Sequence, residues 1–119
     1  MSKRILIVDD DRRLCQELAL CLEEEGHVAE CVFDGVHGEE RVRQNQYDVI
    51  LLDVKLPNAN GLDVLRKMKE LQPEAAVILV TGRSLIEEFI EEENVSSLIA
   101  GFLSKPFYVG KLIEKLEKL

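Results

Sequence analysis

Features that define several large classes of proteins are scarce or missing in this sequence. Its three cysteines, Cys15, Cys21 and Cys31, lack the spacing of a metal-binding motif or a disulfide framework. No apolar run is long enough to cross a membrane, and a strand-like segment starts directly after the N-terminus, which argues against a signal peptide. Repeats and linkers are also missing. We therefore expect one cytoplasmic domain spanning residues 1–119, with its thiols reduced.

Basic residues are outnumbered by acidic ones. The chain has 15 lysines and arginines against 23 aspartates and glutamates, which gives a net charge of −8. Because phosphate contacts require a basic surface, we do not expect this chain to bind nucleic acid by itself. An apolar content of 46% and a charged content of 32% are typical of a globular domain with a single core.

The sequence does contain short apolar runs that end on polar residues. The clearest is Val49–Leu52, which ends at Asp53 and has no polar face, as is typical of a strand buried on both sides in a parallel sheet. The other runs and the polar residues that end them are 5–8 with Asp9 and Asp10, 77–80 with Thr81, and 98–103 with Ser104 and Lys105.

Amphipathic segments separate these runs. Asp11 is a candidate N-cap for the first helix, which is predicted to end at Gly26, and Ser84 is a candidate cap for the fourth. The other helices are predicted at residues 36–46, 62–71, 85–90 and 107–119. The strands are predicted at residues 3–8, 27–33, 49–52, 75–80 and 97–103.

Strands that alternate with helices predict an α/β fold with a doubly wound, five-stranded parallel sheet and five helices. In the flavodoxin-like strand order 2-1-3-4-5, the first and third strands are neighbours at the point where the order reverses. Ligands bind at this point in such sheets. Asp9, Asp10 and Asp53 would then share one pocket.

Three carboxylates in one pocket repel each other unless a cation joins them. Oxygen ligands with few protein donors suit Mg²⁺, which keeps several waters and often binds phosphate as well. An aspartate can also act as a nucleophile and form an aspartyl phosphate. Lys105 and Thr81 would supply positive charge and a hydroxyl donor to the phosphoryl oxygens.

With these residues in place, the sequence resembles the receiver domain of bacterial two-component response regulators. The resemblance covers essentially the whole chain. It rests on four motifs in the expected order at the expected strand ends, which are ILIVDDD (5–11), LLDVKLPNANG (51–61), ILVTG (78–82) and FLSKPF (102–107).

The resemblance implies a role for each matching residue. Asp53 would accept a phosphoryl group from a histidine kinase, and Thr81 and Lys105 would contact its oxygens. The implied Mg²⁺ ligands are Asp10, Asp53, the backbone carbonyl of Lys55 and, through metal-bound water, Asp9.

The resemblance also implies a switch. Thr81 and Phe102 match the switch positions, although Phe102 lacks the hydroxyl that a tyrosine there would use. The Lys105–Pro106 peptide bond matches one that is usually cis in the family. Lys55 and Arg83 flank the predicted pocket, and we expect them to influence the lifetime of the phosphoryl group.

The implied partners are a sensor histidine kinase, a second copy bound through the fourth helix, fifth strand and last helix, and a C-terminal output domain. Two alternatives stay open, a degenerate receiver that only binds a partner and an aspartyl-phosphate phosphatase. The phosphatase class carries a second aspartate where this chain has Lys55. A flavin protein is disfavoured because three consecutive acids, residues 9–11, would repel its phosphate.

Overall fold

The computed structural model describes residues 2–57, 59–82, 84, 86–88 and 95–119. Its strands are β1 (Arg4–Val8), β2 (Val28–Val32), β3 (Val49–Leu52), β4 (Ala76–Gly82) and β5 (Gly101–Lys105). The helices whose bounds lie within the described residues are α1 (Arg12–Glu24), α2 (Gly35–Gln44), α3 (Gly61–Leu71), α4 (Val95–Leu98) and α5 (Val109–Glu117). Within the described ranges, no helix has both the length and the apolar character needed to cross a membrane.

The five strands form one parallel sheet in the order β2-β1-β3-β4-β5. This confirms the predicted doubly wound fold, in which the strand order reverses between β1 and β3. The register of this central pair aligns Val8 with Leu52. The residues that directly follow these two strands, Asp9 and Asp53, therefore leave the sheet side by side.

Side chains of the central strands alternate between two apolar layers, because successive residues of a strand point to opposite faces. One layer joins Leu6, Ile50 and Leu79 to residues of α2, α3 and α4. The other joins Ile7 and Leu51 to residues of α1 and α5. Helices thus cover both faces of β3, which explains why its sequence has no polar face.

The structure corrects the predicted fifth strand. β5 runs over Gly101–Lys105 rather than over residues 97–103, and the segment before it forms α4. Val95 is fully buried in the layer on the α3 side, and Leu98 packs against the same layer. A spacing of three residues brings two side chains to one face in a helix but not in a strand.

Other boundaries also differ from the predictions. β4 extends to Gly82, so Thr81 lies within the strand and not after it, and α5 begins at Val109 instead of residue 107. Residues 86–88 are helical, as expected for the predicted fourth helix, which precedes α4 in the chain. Ser84 is itself helical, so it lies within that helix and not at the predicted cap position before it. The remaining predicted positions of that helix, and Arg83, lie outside the described residues.

The first helix has the predicted cap at its start, and it ends at Glu24, two residues before the predicted end at Gly26. Asp11 caps it by accepting a hydrogen bond from Leu14 N at 3.1 Å. At the other end Gly26 has a φ of +91°, a backbone conformation that a side chain would strain. This turn lets His27 N donate to Leu22 O at 3.0 Å, a carbonyl near the end of the helix that also accepts from Glu25 N at 3.1 Å.

Gln72, the residue after α3, connects three parts of the fold. Its Nε2 donates to Val42 O at 2.7 Å and also to Asn45 O, and both carbonyls lie at the end of α2. Its Oε1 accepts from Tyr47 N at 2.9 Å, just before β3. One partly buried amide therefore holds together the end of α2, the end of α3 and the start of the central strand.

Replacing Gln72 with alanine should lower the free energy of unfolding by about 1–3 kcal/mol, because three backbone groups lose their partner. Gln72→Glu should be at least as damaging, since a carboxylate cannot donate to the two carbonyls. The measurement is urea unfolding, with the exposed Gln46→Ala as control. Equal stability of Gln72→Ala and the control would show that the amide contributes little.

Candidate functional site

Three charged side chains converge where the strands end. Asp9, Asp53 and Lys105 each follow by two positions a residue that packs against α1 and α5. Because side chains alternate along a strand, all three are directed to that face of the sheet. The site therefore arises from the register of β1 and β3 together with the extension of β5 to Lys105.

Lys105 joins the two central acids. Its Nζ lies 2.7 Å from Asp9 Oδ2 and 3.0 Å from Asp53 Oδ2. Both acids are nearly inaccessible, with exposed fractions of 3% for Asp9 and 5% for Asp53. Two carboxylates can be buried together here because one ammonium group donates to both of them.

The second oxygen of each carboxylate accepts a hydrogen bond from the backbone two residues further on. Asp11 N donates to Asp9 Oδ1 at 3.0 Å, and Lys55 N donates to Asp53 Oδ1 at 2.8 Å. Short aspartate side chains form such turns readily where a strand ends. These bonds fix the orientation of both acids before any ligand binds.

The local environment changes the affinity of these groups for protons. Burial raises the pKa of Asp9 above its usual range, although the hydrogen bonds from Lys105 and Asp11 oppose this effect. Burial also disfavours the ammonium form of Lys105, but its bonds to Asp9 and Asp53 outweigh burial and raise its pKa. Lys105 is therefore charged at neutral pH, and ionised Asp9 needs positive charge nearby.

The acids meet the first requirement of a metal site. One carboxylate oxygen from each of Asp9, Asp10 and Asp53 lies within 4.8 Å of the others. Asp10 is exposed whereas its two partners are buried, so an ion held here would stay open to water on one side. A hard, water-retaining cation such as Mg²⁺ fits this set of oxygen donors.

The predicted switch residues lie on neighbouring strands. Thr81 is buried near the end of β4, with an exposed fraction of 2%, whereas Phe102 on β5 is 44% exposed. Phe102 is aligned with Leu79, two residues before Thr81, so Thr81 and Phe102 belong to the same face of the sheet. The Lys105–Pro106 peptide bond that follows β5 is cis.

Sequence reasoning missed two features that support the site. Cys15 Sγ donates to the backbone oxygen of Asp9 at 3.3 Å, from the first turns of α1. A β-carbon on Gly61 would lie 2.6 Å from Val54 Cβ and 2.8 Å from Val54 Cα, so only glycine lets α3 start this close to the loop after Asp53. The glycine was visible in the sequence, but the close approach depends on packing.

The sequence model of the response regulator receiver domain matches residues 5–117. The chain is 33% identical over 122 residues to the response regulator MprA of Mycobacterium ulcerans, covering 100% of this chain and 50% of that protein. The chain thus spans about half the length of the curated relatives it matches.

Solved structures of response regulators also resemble this chain. A CheY-like response regulator receiver domain protein from Methanospirillum hungatei superposes with a TM-score of 0.90 at 30% identity, over 99% of this chain and 93% of that one. NtrX from Brucella abortus superposes with a TM-score of 0.88 at 28% identity, over 99% of this chain but only 27% of its own. A domain of this kind occurs both nearly alone and within a much longer chain.

Replacing Lys105 with methionine should lower the free energy of unfolding in Mg²⁺-free buffer by about 1–3 kcal/mol, because two buried carboxylates lose a charged donor. The pKa of Asp9 should then rise further. A raised acid pKa favours the protonated folded state, so the loss should be smaller at about pH 5 than at about pH 8.

Urea unfolding at both pH values, with and without Mg²⁺, measures these effects. Added Mg²⁺ should stabilise Lys105→Met more than the parent protein, since it replaces the missing charge. Lys111→Met, which alters an exposed lysine on α5, is the matched control. A pH-independent loss equal to that of the control would refute the proposed role of Lys105 as the charge partner.

Proposed function

The chain belongs to the response regulator receiver domain family, and from this premise we propose that Asp53 accepts a phosphoryl group from a histidine kinase in an Mg²⁺-dependent reaction. The observation that carries the proposal is that the Nζ atom of Lys105 contacts the carboxylates of both Asp9 and Asp53. It joins a buried nucleophile, a second acid and a cation within one pocket. Receiver domains are signalling domains, so the relevant product of this reaction is the phosphorylated protein itself and not a released small molecule.

In the transfer, a carboxylate oxygen of Asp53 forms a bond to phosphorus while the bond from phosphorus to the imidazole nitrogen of the donor breaks. The hydrogen bond from Lys55 N holds the Asp53 carboxylate in a fixed orientation. Lys105 Nζ, 3.0 Å from Asp53 Oδ2, is close enough to attract the phosphoryl oxygens. Bound Mg²⁺, held by Asp10, Asp53 and the Lys55 carbonyl with Asp9 nearby, would add positive charge to the same oxygens.

The two alternative functions fit the site less well. A degenerate receiver would be expected to lack one of the groups that phosphoryl transfer uses, but the acids, Thr81 and Lys105 are all present. A phosphatase of the aspartyl-phosphate class would need a general acid two residues after Asp53. The residue there is Lys55, which has no carboxyl group to act as that acid.

Incubating the protein with acetyl phosphate and Mg²⁺ should add one phosphoryl group to Asp53. Asp53→Asn should abolish this gain in mass, because an amide is not a nucleophile for phosphorus. Intact-protein mass spectrometry measures the gain, and peptide mapping after borohydride trapping locates it.

Asp63→Asn is the control for this experiment, since Asp63 is an exposed aspartate in the first turn of α3. It should be phosphorylated like the parent protein. If Asp53→Asn gained as much mass as the control, another residue would be the phosphoacceptor.

We further propose that phosphorylation changes the face of the domain that contains Phe102. A phosphoryl oxygen on Asp53 is a strong acceptor for the Thr81 hydroxyl, which would move toward it. Thr81 and Phe102 share one face of the sheet, so this movement vacates space that the half-exposed ring of Phe102 could fill. Burial of an apolar ring favours that inward state.

The surface next to Phe102 has the chemistry of a partner site. Tyr108 is 83% exposed, and it lines an open groove with Phe102, Lys111 and Lys115. Glu114, which lines the same groove, adds an acidic group. Basic, aromatic and acidic groups on one face suit a second copy of the chain, or a C-terminal output domain, that reads the state of Phe102.

Fluorine NMR on fluorophenylalanine-labelled protein can count the states of Phe102. Adding beryllofluoride, a phosphoryl mimic, should shift the Phe102 signal toward the buried state. Thr81→Ala should bind the mimic yet shift less, because the hydroxyl that couples the two sites is missing. Phe102→Leu assigns the signal. An unchanged Phe102 environment with Asp53 fully occupied would rule out this switch.

A further inference from the structure

Two of the three cysteines lie together where α1 packs against β2. Cys31 Sγ is 3.3 Å from the backbone oxygen of Cys15, to which it donates a hydrogen bond. The thiol hydrogen of Cys15 is itself donated to the backbone oxygen of Asp9. Cys15 is fully buried whereas Cys31 is partly exposed, and both belong to the apolar layer between the sheet and α1.

The backbone of Asp9 is bound to the same two elements, α1 and β2. Cys15 Sγ donates to Asp9 O at 3.3 Å, and Asp9 N donates to Val32 O at 3.1 Å, next to Cys31 in β2. The peptide groups on both sides of Asp9 are thus tied to the elements that contain the two cysteines. Any movement of α1 relative to β2 is transmitted to an acid of the phosphoacceptor pocket.

We propose that Cys15 and Cys31 form a redox-sensitive pair, which a peroxide-class oxidant converts into a disulfide, and that this disulfide weakens metal binding at Asp9, Asp10 and Asp53. The first part depends only on the contact between the cysteines. The second part rests on the proposed function, because it assumes that the acids bind Mg²⁺.

The chemistry starts at Cys31, the more accessible sulfur. The neighbouring Cys15 side chain lowers the pKa of Cys31, which favours the reactive thiolate. The thiolate attacks one peroxide oxygen, the O–O bond breaks, and a sulfenic acid forms with release of water or an alcohol. Cys15 then attacks the Cys31 sulfur, the S–O bond breaks, and a second water leaves. Two thiols have lost two hydrogens and two electrons, which reduce the peroxide.

The disulfide removes the proton that Cys15 donates to Asp9 O. A covalent bond between the sulfurs is also much shorter than any non-bonded contact between two thiols, so we expect α1 and β2 to shift toward each other. The Asp9 peptide therefore loses one of its two anchors while the other moves. The Asp9 carboxylate then no longer meets Lys105 and Asp53 in the orientation that the reduced protein maintains.

Cys21 provides an internal control. It lies in α1, and the structure shows no hydrogen bond from its thiol among the described residues. Digestion after glutamate separates the three cysteines, because Glu17 and Glu23 lie between them in the sequence. A disulfide between any two of them is therefore identified by which pair of peptides is joined.

The test treats the native protein with hydrogen peroxide at a low molar excess, blocks free thiols by alkylation and maps the peptides by mass spectrometry. We expect a Cys15–Cys31 cross-link with loss of two hydrogens, and alkylated Cys21. Cys21→Ala should give the same cross-link, whereas Cys31→Ser should give none. Disulfides that involve Cys21, links between chains, or irreversible oxidation of Cys31 without a cross-link would overturn the pair.

The second arm compares Mg²⁺ binding by the reduced, oxidised and re-reduced protein, measured by thermal stability across a Mg²⁺ titration. Oxidation should shift the midpoint several-fold to higher Mg²⁺, and a dithiol reductant should reverse the shift. Oxidised Cys31→Ser should bind Mg²⁺ as it does before treatment. A cross-link with an unchanged midpoint would overturn the coupling. No Mg²⁺ effect even in the reduced protein would instead contradict the proposed function.

Discussion

The ammonium group of Lys105 is the interaction on which the site depends. Two carboxylates from neighbouring strands, Asp9 and Asp53, are almost completely buried, and Lys105 donates to one oxygen of each. Without this donor, burial and mutual repulsion would favour a neutral, protonated acid, which could not hold a metal or attack phosphorus. The position of Lys105 in turn depends on β5 pairing with β4 as far as Gly82.

The fold supplies this arrangement through register and alternation. Because Val8 is aligned with Leu52, the residues that follow them meet at one level of the sheet. The alternation of side chains then directs Asp9, Asp53 and Lys105 to one face and leaves Thr81 and Phe102 on the other. The cluster of acids with Lys105 and the predicted switch residues thus lie on opposite faces of the sheet.

The sequence predicted the fold class and the acids at the strand ends from local signals, and the strand order followed from the flavodoxin-like order of doubly wound sheets. An apolar run with no polar face indicates a doubly covered strand, and the polar residue after it indicates the ligand edge. It failed at β5, where the buried side chains of Val95 and Leu98 follow a helical spacing that a short apolar stretch does not reveal. Contacts between distant residues, such as Cys15 with Cys31 and Gln72 with the end of α2, carry no local signal at all.

A comparison of two charged clusters shows why only one of them calls for a cation. Glu30 on β2 accepts from Tyr47 Oη at 2.7 Å and lies 2.9 Å from Arg4 and 3.5 Å from Arg41. Burial opposes its ionisation, yet the bonds from Tyr47 and Arg4 prevail and its pKa is lowered. The charge of this single acid is therefore already compensated by the donors around it. At the other edge Lys105 contacts two acids, Asp9 and Asp53, with Asp10 close by; there burial prevails, and the pKa of Asp9 is raised. The deficit of positive charge there is a property of the protein itself, and it defines where a metal ion and a phosphoryl group would be bound together.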